Sequence, residues 1–118
     1  MNKNDIKSFL DKYKSYIGFG NYSVSINKHK RVAPDKVAQV FTNPFSKELV
    51  IDIYGDFDKN TEEGQKELLI HELVHGRIRL KEFKVSRYKE TIEHDEEEHM
   101  VNDLTKFVYH FIKGNSDE

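Results

Sequence analysis

The sequence predicts an α+β fold in a single domain over residues 1–118, with helices packed on a small, mostly antiparallel, three-stranded sheet. Three observations support this prediction. Apolar residues recur at helical spacing near the N-terminus, three segments with strand character follow, and two further helical patterns fill the C-terminal half. At 118 residues, with 36% hydrophobic and 34% charged residues, the chain suits one thin core beneath a charged surface.

The first helix is predicted from an apolar stripe that ends before two glycines, Gly18 and Gly20. The stripe consists of Ile6, Phe9, Leu10, Tyr13 and Ile17. Three strands are then predicted in YSVSIN (22–27), VAQVFT (37–42) and ELVIDIY (48–54). Asn43-Pro44 is a turn signal between the last two segments, which we therefore expect to form an antiparallel hairpin.

Two helices complete the predicted fold. Asn60, with Glu63 three residues later, resembles a capping box, and the helix that follows is expected to reach about Leu80. The last helix is predicted to start near residues 91–92, and Phe107 and Phe111 within it stand at spacings typical of core residues. Residues 114–118 are expected to be a disordered tail.

Composition excludes several classes of function. The formal net charge is −2, from 19 basic and 21 acidic residues, so no nucleic acid or anionic membrane is indicated as a partner. A basic run, which we interpret as solvated, comprises Arg77, Arg79, Lys81, Lys84, Arg87 and Lys89. No segment has the apolar length of a signal sequence or a membrane span. With no cysteine, the chain is expected to be cytoplasmic, and its oligomeric state is left open.

The segment HELVH, residues 71–75, carries the strongest chemical signal. His71 and His75 are four residues apart on one helix face, so both rings can direct a nitrogen at a common metal ion. Glu72 is close enough to accept a proton from a water on that ion. The pattern predicts a Zn²⁺ site for hydrolysis; the alternative is a pair of partly buried histidines hydrogen-bonded to their neighbours.

A catalytic zinc site needs a third protein ligand, and the acidic run HDEEEHMVND (94–103) holds most candidates. If the apolar residues of the last helix face the core, Glu93 and Glu97 lie on that face and Glu98 lies on its flank. Asp95 and His99 point toward water. Helix geometry alone therefore leans to Glu97.

HELVH, followed after 22 intervening residues by EHMVNDLT (Glu98–Thr105), resembles zincin metallopeptidases of the gluzincin type. The resemblance is greatest to small phage and bacterial HExxH proteins and to ImmA/IrrE-like regulators. It implies a minimal zincin-like fold in which the active-site helix precedes a C-terminal ligand helix. It also implies that Glu98 is the third ligand and that Asn102 holds the outer nitrogen of a ligand histidine. The group that would stabilise an oxyanion is not identified among Tyr88, His94 and His99.

These observations favour a zinc-dependent metallopeptidase of peptide or protein substrates, with Glu72 as the general base and His71, His75 and Glu98 as ligands. Glu97 remains the alternative third ligand. A zinc-stabilised regulatory or binding module without catalysis is the second hypothesis. The third is a small phage or host-interaction protein that binds no metal.

Overall fold

The computed structural model of the protein describes residues 1–85 and 94–116, with side chains described for residues 1–79 and 98–114. The described elements are α1 (Lys3–Tyr13), β1 (Ser23–Lys28), β2 (Ala38–Asn43), β3 (Glu48–Ile53), α2 (Glu62–Val85) and α3 (His94–Ser116). Two 3₁₀ turns, Lys14–Ile17 and Gly55–Lys59, flank the strands. The predicted α+β class is confirmed. None of the helices in this part of the chain combines the length and apolar character that crossing a bilayer requires.

The sheet is mixed, with strand order β1–β3–β2. The predicted hairpin is confirmed: β2 and β3 are antiparallel, and the Asn43 side chain accepts hydrogen bonds from the backbone N–H groups of Phe45 and Ser46 in the turn. However, β1 pairs with β3 in parallel, with Ser23 opposite Glu48. The prediction of a mostly antiparallel sheet is therefore wrong for one of the two pairings. Alternating side chains define the faces of a strand but not which neighbour it takes.

One face of the sheet carries the core. Apolar residues at alternate positions of each strand are buried there against the helices, and they are Val24, Ile26, Ala38, Val40, Leu49, Ile51 and Ile53. The helix α1 packs on β1, and α2 packs on β2 and α3. The opposite face is more open, as shown by Phe41, which is half exposed. This one-sided burial matches the period-two pattern in the sequence.

Two glycines have geometric roles. Gly18 has φ +88° and ends the first helical segment, as predicted, because this left-handed conformation is unfavourable for other residues. Gly76 lies where α2 meets β2: a Cβ there would be 3.1 Å from Cγ2 of Thr42 and 3.2 Å from Cγ1 of Val40. The missing side chain lets the segment after His75 approach the edge strand closely.

The ends of α2 differ from the prediction. Thr61, not Asn60, caps the helix, because the Gly64 N–H donates to Oγ1 of Thr61 at 3.1 Å. The Asn60 amide instead donates to the Asp56 carbonyl of the preceding 3₁₀ turn, at 3.2 Å. The helix extends past Leu80 to Val85. The predicted start of the last helix at 91–92 lies outside the described residues.

Two different apolar faces run along α3. Val101, Thr105 and Ile112 are buried, whereas Phe107 is 73% exposed and Phe111 is 51% exposed. The prediction that both phenylalanines are core residues is therefore wrong: the core takes the other face of the helix. The helix also continues to Ser116, so residues 114–116 of the expected tail are helical.

Candidate metal centre

The helix α2 brings the two histidines of HELVH together. The Nε2 atoms of His71 and His75 are 3.1 Å apart, and the ring planes meet at 71° with centroids separated by 4.7 Å. The helix is held in place by three fully buried residues on its core side, Leu69, Ile70 and Leu73. His75 is itself only 4% exposed. Each imidazole therefore directs its Nε2 atom toward one small volume between the two rings.

Glu98 reaches this volume from α3. One of its carboxylate oxygens is 2.8 Å from Nε2 of His75, and the other is 3.8 Å from Nε2 of His71. Its helix position explains this placement, since residue 98 stands three and seven residues before Val101 and Thr105, on the buried face of α3. Two helices thus contribute three donor groups to one point.

These donors fit a divalent ion such as zinc. For ligand distances of about 2.0–2.2 Å and tetrahedral angles, the donor atoms should lie roughly 3.3–3.5 Å from one another. The observed separations of 2.8, 3.1 and 3.8 Å bracket that value. A set of nitrogen and oxygen donors without sulfur suits zinc but also accepts other divalent ions.

Glu72 belongs to the same cluster. Donor atoms of His71, Glu72 and His75 all lie within 4.8 Å of one another. With Glu98, which approaches both histidines from α3, two carboxylates therefore lie beside the histidine pair. The two carboxylates have different partners. The Glu72 carboxylate accepts a hydrogen bond from the Val40 backbone N–H, whereas the Glu98 carboxylate contacts the histidines. Of the two carboxylates, Glu98 is therefore the one that contacts the histidine nitrogens directly.

The environment of Glu72 raises the pKa of its carboxyl to about 7. Burial is the main cause, because it disfavours the charged form, and the negative charge of Glu98 adds to it. The neighbouring His75 and Arg79 side chains and the Val40 N–H act in the opposite direction. A carboxyl with a pKa near neutrality is suited to accepting and returning a proton at physiological pH.

The pKa of His71 is shifted the other way. Burial lowers it, the neighbouring His75 lowers it further, and the carboxylates of Glu98 and Glu67 oppose this shift. His71 is thus held in its neutral form, which is the form that binds metals.

A cavity of about 360 Å³ opens beside His71. Its wall includes Asn60, Glu67, Asn102, Thr105 and Lys106. Asn102 is exposed, and among the described residues no hydrogen bond links it to either histidine. Its supporting role therefore stays a prediction, as does the choice of Glu98 over Glu97, whose side chain lies outside the described residues.

Two features of the site were missed in the sequence. Thr105 is buried with a hydroxyl that has no hydrogen-bond partner, and it lines the cavity beside His71. Its position seven residues after Glu98, on the same helix face, is a signal that could have identified it. The Val40 N–H had no such signal, since a backbone group leaves no mark in the sequence. Of the candidates for stabilising an oxyanion, His99 is exposed, and the side chains of Tyr88 and His94 lie outside the described residues.

Comparison of the chain with protein-family models, with curated proteins and with solved structures gives no match.

Proposed function

We propose that this protein is a zinc-dependent metallopeptidase. The observation that carries the proposal is the convergence of His71, His75 and Glu98 on one point, with Glu72 in the same cluster. Two imidazoles, one carboxylate and a neighbouring base are the groups that metal-assisted hydrolysis requires. The cytoplasm remains the expected compartment.

Each residue has a distinct part in the proposed reaction. His71, His75 and Glu98 would hold the ion, which lowers the pKa of water and polarises a carbonyl group. Glu72 accepts the proton of the attacking water and returns it to the leaving amine nitrogen. The Val40 N–H orients the Glu72 carboxylate, and burial keeps the pKa of Glu72 high enough for the proton to be returned.

The edge strand β2 supports a peptide as the substrate. Within the described sheet it pairs only with β3, and the Val40 N–H on its other edge points toward Glu72. An extended peptide can add to such an edge through backbone hydrogen bonds. Its scissile bond would then lie next to the base, and the cavity beside His71 would accept one of its side chains.

The test compares the wild type with Glu72→Gln. We expect the variant to bind one zinc ion per chain with unchanged circular dichroism and to hydrolyse an unfolded protein substrate at least about 10²-fold more slowly. Metal content is measured by mass spectrometry and cleavage by peptide mapping. Equal cleavage by both proteins, or a wild type that binds no stoichiometric metal, would contradict the proposal.

A second experiment tests the ligand. We expect Glu98→Ala to weaken zinc binding by about 10²-fold or more, since it removes a direct ligand. Glu97→Ala serves as the matched control and should keep wild-type affinity. Competition with a chromophoric chelator measures both variants, and the reverse pattern would assign the ligand to Glu97.

A zinc-stabilised module without catalysis is the second candidate. It is supported by the position of the donors, because His75 on α2 and Glu98 on α3 would be joined by the ion. In that case a chelator would lower the melting temperature sharply, and Glu72→Gln would change neither zinc content nor any cleavage.

A further inference from the structure

The outer face of α3 carries an unusual concentration of exposed apolar side chains. Met100 and Leu104 are each 41% exposed, and Phe107 is 73% exposed. Phe111 and Tyr16, which meet edge-to-face with centroids 5.7 Å apart, are each about half exposed. We call these five residues the α3 patch. An aromatic side chain offers roughly 150–250 Å², so the three aromatic residues alone expose about 350 Å². An area of this size matches the largest apolar patch of a typical monomer, which often has a function.

The spacing of the patch residues indicates what kind of partner fits. Along α3, Met100, Leu104, Phe107 and Phe111 are separated by four, three and four residues. Alternating steps of four and three define a seam along which a second helix can pack. This order of four, three and four residues is the same in both directions along the helix. A second α3 laid antiparallel therefore places Leu104 opposite Phe107 and Met100 opposite Phe111, and each contact occurs twice, as a two-fold interface requires.

A groove beside the seam could accept the ring of Phe107, the most exposed residue of the α3 patch. This groove, of about 290 Å³, is lined mainly by Ile17, Val74, Ile78, Leu104 and Val108. Leu104 belongs both to the groove and to the seam. Because Phe107 of a second copy lies opposite Leu104, its ring would enter this groove. The same molecule thus presents a protruding aromatic ring and an apolar recess for it.

Charges on the flank of the seam are also complementary. Asp103 and His110 are both exposed and lie on the same side of the seam, seven residues apart. In an antiparallel pair, this flank of one copy faces the same flank of the other copy. Asp103 of one copy therefore comes next to His110 of the other. The imidazole N–H can then donate to the carboxylate at both ends of the interface. In a parallel pair, this flank of one copy would face the opposite flank of the other, and Asp103 would not come next to His110.

We infer that two copies of this chain associate through an antiparallel pair of α3 helices, with Phe107 of each copy seated in the groove beside Leu104 of the other. This interface is separate from the proposed metal chemistry, because none of its residues is a ligand or the base.

The first test measures mass in solution. Light scattering after gel filtration at tens of micromolar should give twice the 14.0 kDa mass of the chain. Phe107→Glu should weaken association by more than about tenfold, as expected for a central anchor. The matched control is Phe45→Glu, at the exposed tip of the hairpin, where the residue is 84% exposed. A monomeric wild type, or a dimer insensitive to Phe107→Glu, would overturn the inference.

The second test does not depend on removing an apolar side chain. Asp103→His and His110→Asp should each weaken the dimer, because each places like residues opposite one another. The double variant should restore it. Failure of the double variant to associate better than either single variant would exclude this register.

The relative direction of the two α3 helices is tested by disulfide cross-linking. This test is simple because the chain contains no cysteine. A mixture of Met100→Cys and Phe111→Cys chains should form a disulfide-linked heterodimer, while either variant alone should not. Efficient cross-linking of Met100→Cys with itself would show a parallel arrangement and would contradict the proposed interface.

Discussion

The helices α2 and α3 have similar lengths, 24 and 23 residues, but they use their apolar residues differently. Leu69, Ile70 and Leu73 of α2 are all fully buried, so that helix is fixed by the core and holds the histidines rigidly. In contrast, α3 buries one face and exposes another. Two helices of similar length in one domain can therefore differ in how much of their apolar surface the core covers. The position of Glu98 on the buried face of α3 connects the two helices at the candidate site.

The largest expected effect compares two leucines. Leu73 on α2 is fully buried, whereas Leu104 on α3 is 41% exposed. We expect Leu73→Ala to lower the free energy of unfolding by about 2–5 kcal/mol, because it leaves a cavity, and Leu104→Ala to lower it by less than about 1 kcal/mol. Urea denaturation at low micromolar concentration measures both. Similar losses would show that α3 is packed as tightly as α2.

The second prediction concerns the pH dependence of the metal-free protein. The pKa of Glu72 in the folded chain, about 7, exceeds its ordinary value of 4.5. The folded state therefore favours the protonated carboxyl, and this contribution to stability is full below pH 4.5 and is lost as pH rises through 7. The loss is up to about 3 kcal/mol.

Glu72→Gln stays neutral and should escape this loss. Denaturant unfolding in a chelator at pH 5 and pH 8 should show the variant gaining stability relative to the wild type by about 3 kcal/mol. The lowered pKa of His71 acts in the opposite direction but is present in both proteins, so it largely cancels in the difference. A difference that does not change with pH would refute the assigned environment of Glu72.

The third prediction compares glycines. Gly76→Val on α2 would push a side chain against Thr42 and Val40 and should cost about 1–3 kcal/mol. A Cβ added at Gly114 on α3 would meet no atom within 4 Å, so Gly114→Val should change stability by less than about 0.5 kcal/mol. Thermal unfolding measures both. A neutral Gly76→Val would show that α2 does not need its close approach to β2.

The smallest expected effects concern one buried polar residue on each helix. Gln65 on α2 donates to the Asn60 carbonyl at 3.0 Å, so Gln65→Leu should cost about 1 kcal/mol. The Thr105 hydroxyl on α3 has no partner, so Thr105→Val should be neutral or stabilising by up to about 1 kcal/mol. Chemical denaturation measures both, and a destabilised Thr105→Val would show that the hydroxyl makes a stabilising contact.

Local patterns in the sequence predicted the elements and the histidine pair. Helical and alternating spacing identified α1, the strands and α2, and Asn43-Pro44 located the hairpin turn. These features are encoded within a few residues of one another. The parallel pairing of β1 with β3 was not predictable in this way, because it depends on the path between the strands.

The two candidates for the third ligand show why α3 was harder to predict. The sequence pattern does not separate the two apolar faces of this helix, so the predicted core face lay between them. Helix geometry on its own therefore favoured Glu97. Glu98 stands three and seven residues before Val101 and Thr105, which are both buried. The resemblance to gluzincin-type peptidases favours Glu98, because its motif carries a register that periodicity alone does not, and the choice between Glu98 and Glu97 stays a prediction.

The parallel pairing of β1 with β3 also has a consequence for folding order. The hairpin β2–β3 closes through a four-residue turn, with Asn43 opposite Glu48, whereas β1 must join residues 25 positions apart, such as Ser23 and Glu48. Contacts that close short loops form faster than those that close long ones. We therefore expect the hairpin to form first and β1 to be added later. The strand that supports Glu72 would then be among the earliest parts of the molecule to be ordered.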